Sequence, residues 1–182
     1  MILKVARIGH PVVRCEARPL SEVQLRSPEI QRLIDDMEET MHEYDGVGLA
    51  APQVHVDLRL AVIEVPESDE RAQDAVPFSV LVNPVVRPLS EAKLVGYEGC
   101  LSIPDLRGLV PRYEKVHLEA LDRHGRPWAL DASGFFARVI QHECDHLDGG
   151  VYLDRMADLR SLSFIREFDR FVAGEPEDDG AA

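Results

Sequence analysis

The chain has 182 residues, which is enough for one globular domain with a substantial buried core. Hydrophobic residues make up 45% of it, but no apolar run approaches the roughly 20 residues that a membrane span needs. The net charge of −13 disfavours binding to the phosphate backbone of DNA, because like charges repel and no basic stripe offsets them. The bulk numbers therefore exclude a membrane-spanning protein and disfavour a DNA-binding one.

The N-terminal stretch does not have the form of a secretory signal. The residues Lys4, Arg7, Gly9 and Pro11 interrupt it, so it lacks a continuous apolar region. The odd number of cysteines has no paired spacing and disfavours a disulfide framework; they are Cys15, Cys100 and Cys144. We expect a cytoplasmic protein whose cysteines are free to act as thiolate ligands.

Three segments have the features of helices. The first begins at Ser27, an N-cap residue followed by proline, and Gly46 is its natural stop. The second runs from about Phe135 to Leu147, and the third from about Asp158 to Val172. The predicted inner face of the third helix consists of Leu162, Ile165, Phe168, Phe171 and Val172.

Short apolar or alternating runs between these helices predict strands. They are Leu58–Val65, Ser79–Asn83, residues 116–120 and Trp128–Leu130, the last two joined by a turn at residues 122–125 as a hairpin. The strands do not alternate regularly with the helices, so a parallel βαβ fold is disfavoured. We predict an α+β fold, in which mainly antiparallel sheets pack around a central helix, with an N-terminal and a C-terminal helix.

The chain has no internal repeat and no linker that would divide it. Residues 1–173 are therefore expected to form a single domain. Residues 174–182 are acidic and contain a proline and a glycine, so we expect a disordered tail.

The segment Gln141-His142-Glu143-Cys144-Asp145-His146 carries the sharpest chemical signal. Histidines four residues apart lie on the same face of a helix, so both imidazoles can bind one metal ion. Glu143 is adjacent to the first histidine and can contact water at the metal without being a ligand. Cys144 is offset by about 100° around the helix from Glu143, and we expect it to pack in the core. A catalytic site still needs a third protein ligand.

The residues alone leave that third ligand open. A histidine at position 152 would complete a longer zinc motif, but this residue is Tyr152. Glu167, on the predicted third helix, would make the protein a zinc endopeptidase. Cys100 is the remaining candidate, and it follows Gly99, which permits close approach of the chain. A protein that binds metal without catalysis is a further alternative, although Glu143 and the ligands show no defect that would favour it.

Three stretches of the sequence together resemble the peptide deformylase family. Residues 46–53, GVGLAAPQ, are similar to its motif GxGLAAxQ; Glu98–Ser102 is similar to EGCLS; and Gln141–His146 is similar to QHExDH. All are complete and in the family's order, and the similar region spans about residues 1–155. The resemblance implies a metal-dependent hydrolase that removes the N-formyl group from the formyl-methionine of newly made polypeptides and releases formate.

The resemblance also implies a role for each matched residue. Glu143 would be the general base for the attacking water. The side-chain amide of Gln53 and the backbone N–H of Leu101 would stabilise the negative formyl oxygen. The implied metal ligands are Cys100, His142 and His146.

Further residues are expected to support the substrate and the ligands. Gly48 would hydrogen-bond an extended peptide through its backbone. The pocket for the methionine side chain would be lined by Val47, Leu101, Val139 and the stem of Arg138. Asp145 and Gln141 would orient the metal ligands, and Glu98 would pair with Arg112 beside the site.

The implied cofactor is one divalent metal ion per chain, with Fe²⁺ expected and Zn²⁺, Ni²⁺ or Co²⁺ able to occupy the same ligands. The implied partners are formyl-methionyl nascent peptides, with a transient contact to the translating ribosome. The C-terminal helix is poorly suited to binding ribosomal RNA, because Glu167 and Asp169 offset its arginines and an acidic tail follows.

Overall fold

The computed structural model describes residues 1–66 and 75–173, and shows the predicted α+β architecture. Four α-helices are present there: α1 Glu22–Leu25, α2 Pro28–Glu43, α3 Gly134–Leu147 and α4 Ile165–Phe171. The strands are β1 Gly48–Ala50, β2 Leu60–Val65, β3 Val76–Pro88, β4 Lys93–Cys100, β5 Ile103–Tyr113, β6 Lys115–Leu121, β7 Pro127–Ser133 and β8 Ser163–Phe164. Short 3₁₀ helices cover Pro11–Arg14, Ala51–Val54 and Tyr152–Arg155.

The strands form two antiparallel sheets. The larger sheet has the order β1-β2-β3-β6-β7, and the smaller has the order β4-β5-β8. In the smaller sheet the register of β4 against β5 shifts between Glu98 and Cys100. Such an irregularity bends the strand and changes the direction of its side chains. Here it affects the carboxylate of Glu98 and the thiol of Cys100.

Helix α3 is the central helix, and its apolar residues face the larger sheet. They are Ala137, Ile140, Cys144 and Leu147, which recur at helical spacing and join the sheet's inner residues in one core cluster. Burial raises the pKa of the Cys144 thiol to about 12, so it stays protonated and apolar in character. The prediction that Cys144 packs instead of binding metal is confirmed.

Helix α2 is the predicted first helix. The Ser27 hydroxyl accepts a hydrogen bond from the backbone N–H of Ile30 at 3.4 Å, and Pro28 occupies the first helical position. Its buried side chains pack with β1 and β2 in a second core cluster; they include Ile34, Met37 and Met41. The loop after α2 leads directly into β1, so this helix sets the position of the GVGLAAPQ segment.

The C-terminal prediction is partly wrong. Helix α4 begins only at Ile165, because Ser163 and Phe164 pair with β5 as the short strand β8. Phe171 is 55% exposed and Val172 is 39% exposed, so neither lies on an inner face. The predicted tail, 174–182, lies outside the described residues.

Candidate metal centre

Two elements bring the three predicted ligand side chains together. Cys100 ends β4, while His142 and His146 lie one turn apart on α3. The Cys100 Sγ lies 3.2 Å from the His146 Nε2, and the three ligand atoms all lie within 4.8 Å of one another. Within residues 1–66 and 75–173, this is the only such group of three metal-binding side chains.

The donor set fits a divalent metal ion. The His142 Nδ1 is paired with the Glu98 carboxylate at 2.9 Å, which leaves Nε2 available for coordination. Burial raises the pKa of the Cys100 thiol, but the imidazoles of His146 and His142 outweigh this effect and hold that pKa well below its usual range. Cys100 is therefore ready to act as a thiolate ligand, and two imidazoles with one thiolate leave a fourth position open.

Glu98 holds His142 as part of a buried network of charges. Its carboxylate accepts two hydrogen bonds from Arg112, at 2.8 and 2.9 Å, and one from Arg138 at 2.8 Å. Burial opposes ionisation of Glu98, yet Arg112 and His142 lower its pKa to about 2. The predicted Glu98–Arg112 ion pair is confirmed, and its anion holds the His142 ring.

The predicted orienting residues, Asp145 and Gln141, make no direct hydrogen bond to His142 or His146. Asp145 binds Arg112 instead, with 2.5 Å between Oδ2 and Nη1. The Gln141 side chain bonds the backbone N–H of Tyr113 at 3.0 Å and its carbonyl at 2.9 Å, which ties α3 to the end of β5. Sequence spacing could not reveal this, because Glu98 comes from a distant strand and takes the role expected of a residue on the helix.

The carboxylate of Glu143 lies against the backbone of Gly48. A Cβ added at Gly48 would lie 2.3 Å from the Glu143 Oε1, so only glycine leaves room for this side chain. Burial raises the pKa of Glu143 to about 7, with His142 and His146 partly opposing the rise. Its Oε2 is buried without a hydrogen-bond partner among the described residues, so the carboxylate is free to accept a proton.

Gln53 is held rigidly beside Cys100. Its Oε1 accepts a hydrogen bond from the backbone N–H of Ala50 at 2.9 Å. Its Nε2 then lies 3.5 Å from the Cys100 Sγ and 3.3 Å from the Ser102 Oγ. The side-chain amide thus presents its donor end to the ligand sulfur, and Leu101 follows in the turn between β4 and β5.

An open cleft of about 1150 Å³ leads to these residues. Every residue predicted to bind substrate lines it: Val47, Gly48, Leu101, Arg138 and Val139. The guanidinium of Arg138 is already bound to Glu98 and to the carbonyls of Leu94 and Val110, so only its stem is available to a ligand.

Some parts of the cleft wall were not predicted. Residues 4–11, Tyr97, Leu106 and Ile165 also line it. The sequence predicts Ile165 on the inner face of the third helix but does not indicate a place in the cleft, because the pairing of β8 with β5 positions this residue. Glu167, the alternative third ligand, is exposed on α4 and lies outside the ligand group, so the endopeptidase alternative is wrong on this point.

Comparison with known proteins decides the family. Residues 2–161 match the polypeptide deformylase family. The chain belongs to this family. It is 46% identical over 166 residues to peptide deformylase 2 of Pseudomonas putida, covering 90% of this chain and 93% of that relative. It is also 46% identical to peptide deformylase 1 of Bordetella pertussis, with the same coverage.

Solved structures of family members have the same fold. A class I type b peptide deformylase from Acinetobacter baumannii has a TM-score of 0.79 and 37% identity, covering 86% of this chain and 99% of that one. Another structure of that enzyme, with Met-Ala-Ser bound, has the same TM-score and identity, covering 85% and 99% of the two chains. The predicted family, fold class and deformylase activity are confirmed.

Replacing Gly48 with alanine tests the contact with Glu143. The added Cβ would displace the carboxylate, so we expect turnover of a formyl-peptide to fall by roughly 10-fold or more, since general bases contribute about 10²–10⁴-fold. Metal content should not change, because no ligand moves. Gly46→Ala is the matched control, since a Cβ there would lie 3.4 Å from its nearest neighbours. Equal losses in both variants would contradict the proposed contact.

Proposed function

We propose that this chain removes the formyl group from N-terminal formyl-methionine with one Fe²⁺ held by Cys100, His142 and His146. The observation that carries the proposal is that the three ligand atoms lie within 4.8 Å of one another, while Cys100, His142 and Glu143 line one open cleft. The proposal treats residues 1–173 as a single catalytic domain.

In the proposed reaction, Glu143 first accepts a proton and later returns it. When bound, a divalent ion lowers the pKa of a coordinated water from about 16 towards 7 and polarises the formyl carbonyl. Glu143 takes the proton of the attacking water as the oxygen bonds to the formyl carbon. The C–N bond then breaks, Glu143 returns the proton to the leaving amine, and formate and a free methionine N-terminus result.

Two donors stabilise the formyl oxygen as it gains negative charge. The Gln53 Nε2 and the backbone N–H of Leu101 are assigned to this role, and loss of one such donor typically costs about 3–4 kcal/mol of transition-state stabilisation. The bond from Gln53 Oε1 to the Ala50 N–H supports the assignment, because it fixes the amide before substrate arrives.

The peptide is proposed to bind in an extended conformation beside β1. This strand is at the edge of the larger sheet, so the backbone of Gly48 can pair with a further strand. Val47, Leu101, Val139 and the stem of Arg138 then surround the methionine side chain. The Met-Ala-Ser bound to the Acinetobacter baumannii enzyme supports a short methionyl peptide as the occupant of this cleft.

The cellular assignment follows from the substrate. Formyl-methionine begins newly made polypeptides, so we propose a cytoplasmic enzyme that contacts the translating ribosome transiently. Within residues 1–66 and 75–173, none of the helices has both the length and the apolar character needed to cross a lipid bilayer.

Two substitutions separate metal binding from catalysis. Glu143→Gln should retain about one metal ion per chain and lose turnover by about 10²–10⁴-fold, since the ligands remain but the base is lost. Cys100→Ala should lose both metal and turnover, whereas Cys15→Ala, at an exposed cysteine, should lose neither. Metal analysis and formyl-peptide hydrolysis measure both properties. Full turnover by either of the first two variants would refute the assigned roles.

The assignment of Fe²⁺ predicts sensitivity to air. A ferrous ion bound by a thiolate is prone to oxidation, so activity should fall during aerobic storage and be preserved under nitrogen. The same protein reloaded with Ni²⁺ or Zn²⁺ is the control and should keep its activity in air. Activity of the iron-loaded protein that survives prolonged aerobic storage without reductant would count against Fe²⁺, while leaving the fold and the ligands in place.

A further inference from the structure

Asp145 has a second cationic partner beyond Arg112. Arg155 places its Nη2 2.7 Å from the Asp145 Oδ1, and its Nε lies 3.2 Å from both carboxylate oxygens. The Asp145 side chain is 8% exposed, while that of Arg155 is 55% exposed. A buried anion is thus held between one buried guanidinium and one that reaches the surface.

Asp145 connects Arg155 to a metal ligand. From Asp145 the contacts continue to Arg112 at 2.5 Å, from Arg112 to Glu98 at 2.8 and 2.9 Å, and from Glu98 to the His142 Nδ1 at 2.9 Å. The side chains between Arg155 and the histidine are all buried.

The local fold places Arg155 for this contact. Gly149 has a φ of +76°, and a Cβ there would lie 2.8 Å from the carbonyl oxygen of Arg14, so the chain reverses tightly after α3. The returning 3₁₀ helix, Tyr152–Arg155, then lies beside α3. Its first residue is fully buried and stacks on His142, with 6.4 Å between ring centroids and 18° between planes.

We propose that Arg155 is a positioning residue for the metal centre, acting through Asp145, Arg112 and Glu98 on His142. The inference rests on the proposed ligand set. Among the described residues, the Asp145 Oδ1 accepts side-chain hydrogen bonds from Arg155 alone. Without them this buried oxygen has no such donor, the carboxylate can rotate, and Arg112 loses the fixed partner that orients it towards Glu98. The His142 ring is then held less firmly, and the metal dissociates faster.

The test compares Arg155→Gln, Arg155→Lys and the control Arg14→Gln. Arg14 pairs with Asp154 on the same 3₁₀ helix but has no contact with Asp145, so it reports on anchoring of the helix alone. Each protein is loaded with Zn²⁺, and release of the ion to a chelator is timed. Unfolding of the metal-free proteins is measured in parallel.

We expect Arg155→Gln to release Zn²⁺ about 10-fold faster than the wild type, because outer partners of metal ligands typically alter affinity by about 10–100-fold. Arg155→Lys should recover part of the loss, and Arg14→Gln should match the wild type. Wild-type release from Arg155→Gln would overturn the proposal. So would equally fast release from Arg14→Gln, or release that only follows the loss of stability of the metal-free protein.

Turnover of formyl-Met-Ala by the wild type separates this inference from the proposed function. Stoichiometric Zn²⁺ binding without turnover would refute the function. The Zn²⁺ release rates would still test the positioning role of Arg155. A wild type that binds no Zn²⁺ would refute both.

Discussion

The site depends on one buried anion, the carboxylate of Glu98. Burial alone would favour its protonated form, but Arg112 and His142 keep it charged, with a pKa of about 2. Removing one partner of such a buried pair typically costs about 3–5 kcal/mol, because the remaining charge is left uncompensated. Glu98 comes from β4 and His142 from α3, so this anion also joins the strand that carries Cys100 to the helix that carries both histidines.

The two faces of α3 have different roles: one packs in the core and the other carries the residues of the site. One face presents Ala137, Ile140, Cys144 and Leu147 to the larger sheet, which fixes the helix in the core. The other face carries His142 and Glu143, which line the cleft, and His146, which is buried beside Cys100. The side chains on this face have little freedom to move, because Gly48 contacts Glu143 and Glu98 contacts His142. A rigid core face thus supports the geometry that a metal-bound hydrolytic reaction requires.

The sequence predicts the elements with strong local signals. Ser27-Pro28 marks the start of α2, the histidine spacing marks the predicted metal-binding face of α3, and the family motifs identify Cys100. Long-range pairings have no such signal. The strand β8, which shortens α4 and brings Ile165 to the cleft, forms only because β5 lies beside it. The ionic contacts of Asp145 likewise depend on Arg112 and Arg155 arriving from other parts of the fold.

The most direct test is deformylation of formyl-Met-Ala by protein purified without oxygen, with the bound metal quantified in the same sample. The account predicts turnover with about one metal ion per chain, since a single open coordination position serves the reaction. Stoichiometric metal with no release of formate from any formyl-methionyl peptide would contradict it.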